Sequence, residues 1–146
     1  MSGSFKLTLP LIVILPRVKV ADKIFILNLN NYRNTHHMTL NQAKVKYKEM
    51  VYGAMLTDSG KYIPPAIGLP PYLFTYTVFP GSMRTFDVNN VCSIIDKFAA
   101  DALQELGVIK NDNFKFIPRS VFEYGSVDKD NPRCELVITS IQKELT

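Results

Sequence analysis

The chain has 146 residues, of which 47% are hydrophobic and 21% are charged, and its formal net charge is +4. This length predicts one domain, and the composition excludes a largely disordered chain. The positive charge suits a polyanionic partner without requiring one. No stretch approaches the roughly 20 apolar residues that a membrane span needs. Cys92 and Cys134 fit neither a disulfide framework nor a zinc site, so we expect both cysteines to be reduced. We also expect a cytoplasmic protein with no membrane partner.

The first half of the chain predicts two strands followed by a helix. Phe5–Leu15 is rich in β-branched residues, and Lys23–Leu29 is a second extended apolar segment that ends in a turn-prone asparagine cluster. Thr39 and Gln42 have the spacing of a capping box. We therefore expect a helix with Thr39 as its N-cap that ends before Asp58.

The second half predicts a strand and then a long amphipathic helix. Tyr72–Phe79 is aromatic and β-branched, as is typical of a strand. Asn89 or Asn90 can cap the helix, whose apolar residues recur at helical spacing as far as about Leu106. Gly107 stands where a helix C-terminus favours glycine.

Two more strands are predicted after this helix. They are Phe114–Tyr124 and Cys134–Ile141, and the polar residues between them suggest a hairpin. Strands and helices therefore follow one another without regular βαβ alternation. This order predicts an α+β fold, with a small mixed β-sheet and two helices packed on one face.

Two acidic turns flank the second helix, and they suggest a metal site. Asp87 precedes the helix and Asp112 follows it, so the two carboxylates can meet if the chain folds back at both ends. Magnesium prefers oxygen ligands and often uses one or two carboxylates. In a basic chain this predicts metal-assisted chemistry on phosphates. The alternative is that each Asp only bonds nearby backbone amides, as in ordinary turns.

A polar stripe runs along the same helix. Asn89, Ser93, Lys97 and Asp101 follow one another at i,i+4 steps and therefore share one face. One interpretation is a solvated face with a weak Lys97–Asp101 pair. The other is that Lys97 faces a scissile phosphate and offsets its developing charge.

The stretch from Asp87 to Ile117 resembles the signature of the RusA-like Holliday junction resolvases of phages and prophages. In that family an Asp-x-Asp-Asn turn opens a helix, and a Lys, an Asp-Ala-Leu, a Gly and an Asp-Asp pair follow. The asparagine-rich stretch before the first helix and the last strand also resemble the family. The residues that match the signature here are Asp87-Val88-Asn89-Asn90, Lys97, Asp101-Ala102-Leu103, Gly107 and Asn111-Asp112.

The resemblance implies an endonuclease that resolves four-way DNA junctions with Mg²⁺, or with Mn²⁺ as a substitute, and acts as a homodimer. Asp87 and Asp112 would then be metal ligands, and Lys97 would support catalysis. Asn89 stands where the family has its second Asp. It keeps a possible oxygen ligand but brings no charge. A catalytically impaired protein that still binds branched DNA is the alternative, and a small α+β protein that binds another protein is a third.

Candidate DNA contacts lie in the asparagine-rich loop and on the first helix. Tyr32 and Arg33 suit stacking and phosphate contacts respectively. The adjacent His36 and His37 either contact the DNA or the metal or are simply exposed. The full set of candidate DNA-binding residues is Asn28, Asn31, Tyr32, Arg33, Lys44 and Lys48.

Overall fold

The computed structural model describes residues 4–142, which form six strands and three helices. No helix in this range is long and apolar enough to cross a membrane. The elements are β1 (Ser4–Leu9), β2 (Ile12–Leu15), β3 (Lys23–Ile26), α1 (Leu29–Asn34), α2 (His37–Ala54), β4 (Tyr72–Phe79), α3 (Val88–Glu105), β5 (Arg119–Tyr124) and β6 (Arg133–Ser140).

A four-stranded mixed sheet with the order β1-β6-β4-β5 forms the centre of the fold. β6 is antiparallel to both neighbours, whereas β4 and β5 are parallel. Alternate residues of β4 and β6 are buried, because side chains of a strand point to opposite faces. α2 and α3 pack against each other, and α3 also packs against β4 and β5. The α+β fold with a mixed sheet is confirmed.

The predicted strand Phe5–Leu15 is two strands that belong to different sheets. β1 pairs with β6, while β2 pairs with β3 in a separate two-stranded antiparallel sheet. Pro10 lies between them. Proline has no N–H to donate to a strand ladder, which explains the interruption.

The predicted hairpin of the last two strands is wrong. β5 begins only at Arg119 and pairs in parallel with β4, and β6 pairs with the other side of β4. β4 therefore lies between the two strands that the hairpin would have joined. Local turn residues indicate where a strand ends, but they do not determine which strand it pairs with.

The N-termini of the helices also differ from the predictions. α2 begins at His37 instead of after Thr39, and its N-cap His36 accepts a hydrogen bond from the Met38 N–H. The asparagine-rich loop contains the short helix α1, capped by Asn28. In both helices a side chain just before the first helical residue accepts a hydrogen bond from one of the backbone N–H groups that have no partner within the helix.

The C-terminus of α3 has the predicted glycine. Gly107 has a φ of +78°, a conformation that costs glycine little. The Val108 N–H donates to the Leu103 carbonyl at 2.9 Å, and the Gly107 N–H donates to the Gln104 carbonyl at 3.1 Å. This pair of bonds is a Schellman motif, which turns the chain out of the helix.

Candidate functional site

A polar cavity of about 330 Å³ lies where the three helices meet the beginning of β5, and we call it the α3 cavity. Three carboxylates and two lysines line it, so opposite charges share a small space. The lining residues are Tyr32, Lys44, Asp96, Lys97, Ala100, Asp101, Asp112, Ile117 and Ser120.

Helical spacing and the turn after α3 bring these groups together. Asp96 lies four residues before Ala100 and Lys97 four residues before Asp101, so each pair shares one face of the helix, and the two faces are adjacent. Asp112 comes from the segment that follows the Gly107 turn. That turn lets the chain leave the helix and run back beside it, which brings the Asp112 carboxylate to the same cavity as Asp96.

Asp96 is the least exposed carboxylate of the cavity, and a buried tyrosine holds it. The Tyr76 hydroxyl on β4 donates to Asp96 Oδ1 at 2.6 Å. Burial raises the pKa of Asp96, the hydrogen bond from Tyr76 opposes this, and the nearby Asp112 carboxylate raises the pKa further. Burial, and then the Asp96 charge, also raise the pKa of Tyr76. The phenol therefore stays protonated and remains a donor to Asp96.

Two lysines approach the same aromatic ring at the cavity. Lys44 Nζ and Lys97 Nζ each lie 5.9 Å from the centroid of the Tyr32 ring, within the range of a cation–π contact. The Tyr32 ring also meets Phe98 edge-on, with 6.5 Å between centroids. Tyr32 thus lies between two positive charges beside the carboxylates, and its predicted stacking on DNA bases stays a prediction.

Four of the ten predicted site residues line this cavity, and the other six lie outside its lining. Lys97, Asp112, Tyr32 and Lys44 line it. Asp87 and Asn89 lie in the first turn of α3, where Asp87 is the N-cap and its Oδ1 accepts the Asn89 N–H at 3.0 Å.

The part of α3 that lines the cavity begins nine residues after Asp87, about 14 Å along the helix axis. Asp87 therefore does not line the cavity that Asp112 lines. Asp87 instead performs the ordinary capping function that was its alternative interpretation.

The remaining DNA-binding candidates have local partners or lie outside the cavity. Asn28 Oδ1 accepts the Asn31 N–H at 2.8 Å, and Asn31 Nδ2 donates to the Ile26 carbonyl at 3.0 Å. Lys48 forms a 2.9 Å salt bridge with Glu105, which links α2 to α3. Arg33 is exposed in the last turn of α1. His36 and His37 are exposed and lie against each other.

Asp96 is the functional candidate that the sequence reasoning missed. Its helical neighbours Cys92, Ala99 and Ala100 are all buried, so an acidic residue stands at the edge of the apolar face of the helix. Buried Asp is rare unless it is paired. This position is a weak signal in the sequence, and the Tyr76 partner that distinguishes Asp96 is apparent only from the structure.

Two carboxylates of the cavity are the candidates for holding a divalent cation. Within residues 4–142, no group of three or more Asp, Glu, His or Cys side chains converges as an all-protein metal site would require. Magnesium, however, is commonly bound by one or two carboxylates together with substrate phosphates and water. Asp96 and Asp112 line one cavity and influence each other electrostatically, and they are the pair that could hold Mg²⁺.

The comparisons with known proteins assign no family to this chain. No model of a known protein family matches this chain, and a search of curated proteins found no match either.

Proposed function

We propose that this chain is a magnesium-dependent endonuclease that cleaves phosphodiester bonds in branched DNA, with the α3 cavity as its active site. The observation that carries the proposal is the juxtaposition of Asp96 and Asp112 with Lys97 and Lys44 in one cavity. Its specificity for four-way junctions rests on the resemblance of Asp87 to Ile117 to the RusA-like resolvases.

The charges of the cavity suit phosphoryl chemistry. Lys44 and Lys97 attract the DNA backbone, and Lys97, which is exposed, can approach the phosphate closely. Its charge offsets the negative charge that develops on the phosphate during displacement. Asp96 and Asp112 would hold Mg²⁺, which, when bound, polarises the scissile phosphate. Without the cation the carboxylates would repel the substrate, so we expect cleavage to require Mg²⁺ or Mn²⁺.

A homodimer belongs to the proposal, because paired cuts in opposite strands of a junction need two sites related by two-fold symmetry. An apolar face on the β2–β3 sheet supports it. Ile12 pairs with Ile26, and Ile14 pairs with Ile24. These four residues are between 39 and 57% exposed, whereas Val13, Leu15 and Phe25, which alternate with them along the two strands, are buried. Four outward isoleucines in two cross-strand pairs form a surface suited to packing against a second copy.

Cleavage of a labelled synthetic four-way junction tests the proposal. We expect Asp112→Asn and Asp96→Asn each to slow Mg²⁺-dependent cleavage by about 100-fold or more, as is usual for loss of a charged active-site group. Junction binding should persist, since phosphate contacts elsewhere supply much of the affinity.

Asp87→Asn is the matched control. It removes one carboxylate charge, as the other two substitutions do, but asparagine caps a helix as well as aspartate does. This variant should therefore cleave at the parent rate. Parent-like cleavage by Asp112→Asn, or loss of cleavage in Asp87→Asn alone, would contradict the assignment of the α3 cavity.

The alternative function is a branched-DNA-binding protein that does not cleave. It is favoured because, among the described residues, no three acidic, His or Cys side chains converge to hold a metal ion, whereas Lys44 and Lys97 can still attract a DNA backbone. A gel shift of the junction without cleavage at any Mg²⁺ or Mn²⁺ concentration would support this alternative over the nuclease.

A further inference from the structure

We infer that Tyr76 is a positioning residue, whose buried hydroxyl fixes the Asp96 carboxylate for binding a divalent cation in the α3 cavity. The inference rests on the proposed function and extends it to a residue in the core of the sheet that does not line the cavity.

The ring of Tyr76 is held by its neighbours in the core. Tyr76 is fully buried on β4, one of the two inner strands of the sheet. Its ring meets Phe122 edge-on at 5.7 Å between centroids and lies 6.3 Å from that of Phe74. Close-packed interiors leave little room for a different rotamer, so the position of the hydroxyl is fixed by the sheet.

The hydrogen bond from this hydroxyl orients a carboxylate that would otherwise rotate. The 2.6 Å distance between Tyr76 Oη and Asp96 Oδ1 lies in the range of an O–H donating to an ionised oxygen. The phenol has only one proton to donate, so it occupies one oxygen of the carboxylate. Within residues 4–142, Tyr76 is the hydrogen-bond partner of this side chain, and Oδ2 remains for a ligand in the cavity.

The arrangement divides two tasks between the sheet and the helix. α3 supplies the carboxylate, and β4 determines its orientation. Removal of a group that hydrogen-bonds to a metal-binding side chain and orients it typically lowers metal affinity or activity by about 10- to 100-fold. The competing interpretation is that the Tyr76–Asp96 bond only satisfies a buried polar group, in which case its loss would affect stability alone.

Tyr76→Phe distinguishes these interpretations, with Tyr47→Phe as its control. Tyr47 is also fully buried, and its hydroxyl donates to the Pro10 carbonyl at 3.0 Å, away from the cavity. Each substitution keeps the ring and removes one buried hydrogen bond. Their effects on thermal unfolding should therefore be similar.

Three measurements on the full chain are needed: Mn²⁺ affinity by calorimetry without DNA, junction affinity, and the single-turnover cleavage rate. We expect Tyr76→Phe to weaken Mn²⁺ binding by about 10- to 100-fold and to slow cleavage at limiting Mn²⁺, with unchanged junction affinity. Tyr47→Phe should keep the parent Mn²⁺ affinity and cleavage rate.

Equal Mn²⁺ affinity and cleavage rate in the two variants, with an active parent, would overturn the inference and leave the proposed function standing. A parent chain that neither binds Mn²⁺ nor cleaves any junction would overturn the proposed function, and the inference with it.

Discussion

The contact between Tyr76 and Asp96 makes a quantitative prediction about stability that does not depend on activity. Asp96→Ala removes the acceptor and leaves the fully buried Tyr76 hydroxyl without its partner. A buried donor left unsatisfied costs about 1–3 kcal/mol. In a chain of this size, 1 kcal/mol corresponds to roughly 3 °C in melting temperature. We therefore expect Asp96→Ala to melt about 3–9 °C below the parent.

A double-mutant cycle isolates the bond itself. Once Tyr76→Phe has removed the hydroxyl, Asp96→Ala no longer leaves it unsatisfied, so the second substitution should be less destabilising than in the parent. Urea unfolding of the four proteins should give a coupling free energy of about 1–3 kcal/mol between the two positions. A coupling near zero would refute the geometry, because it would mean that hydroxyl and carboxylate do not interact in solution.

Four further predictions follow from the site and its surroundings. Burial raises the pKa of Asp96 above its ordinary 3.8, so the stabilising contribution of its protonated form is present below pH 3.8 and is lost as the pH rises through the raised pKa. The Asp96→Asn side chain does not ionise, so its free energy of unfolding should rise relative to that of the parent as the pH is raised above 3.8. Lys97→Ala should lower the single-turnover cleavage rate more than junction affinity, and the opposite pattern would make Lys97 a plain phosphate contact. Asn89→Asp should stabilise the chain by about 0.3–1 kcal/mol through the helix dipole, and it should leave the cleavage rate unchanged in a magnesium titration. A large gain in cleavage rate would mean that position 89 belongs to the active site. Ile14→Lys should give a monomer in light scattering, while Ile63→Lys, at a more exposed isoleucine in the proline-rich loop, should not.

Helix α3 is the part of the fold that the sequence predicted best. Its apolar periodicity predicted a buried face, on which Ile94, Ile95, Phe98 and Leu103 are buried while Val91 and Leu106 near its ends are partly buried. Gly107 marked its C-terminus because a positive φ is needed there. These signals are local, since they depend on residues within one or two turns of each other. The predicted hairpin failed because the partner of β5 is β4, a strand that precedes α3 in the sequence.

The candidate site was only half predictable for the same reason. Lys97 and Asp112 were identified from their motif, and both line the α3 cavity. Asp87 was assigned to the same site because the sequence does not show which part of a helix the returning loop approaches. Asp96 was missed because its distinguishing feature is Tyr76, a hydrogen-bond partner 20 residues away. No rule of sequence spacing relates a residue on a strand to a residue on the helix that packs against that strand.

The strand order has a consequence for how the chain acquires its structure. β6 lies between β1 and β4, and its register joins Ser4 to Thr139. Until residues 133–140 have left the ribosome, β1 has no neighbour in the main sheet and β4 has an open edge on one side. Such pairing between distant segments is slow to form, and unpaired edges attract other chains in the meantime. The protein should thus be most vulnerable to aggregation during synthesis, and a separately supplied β6 peptide should rescue a chain that lacks this strand.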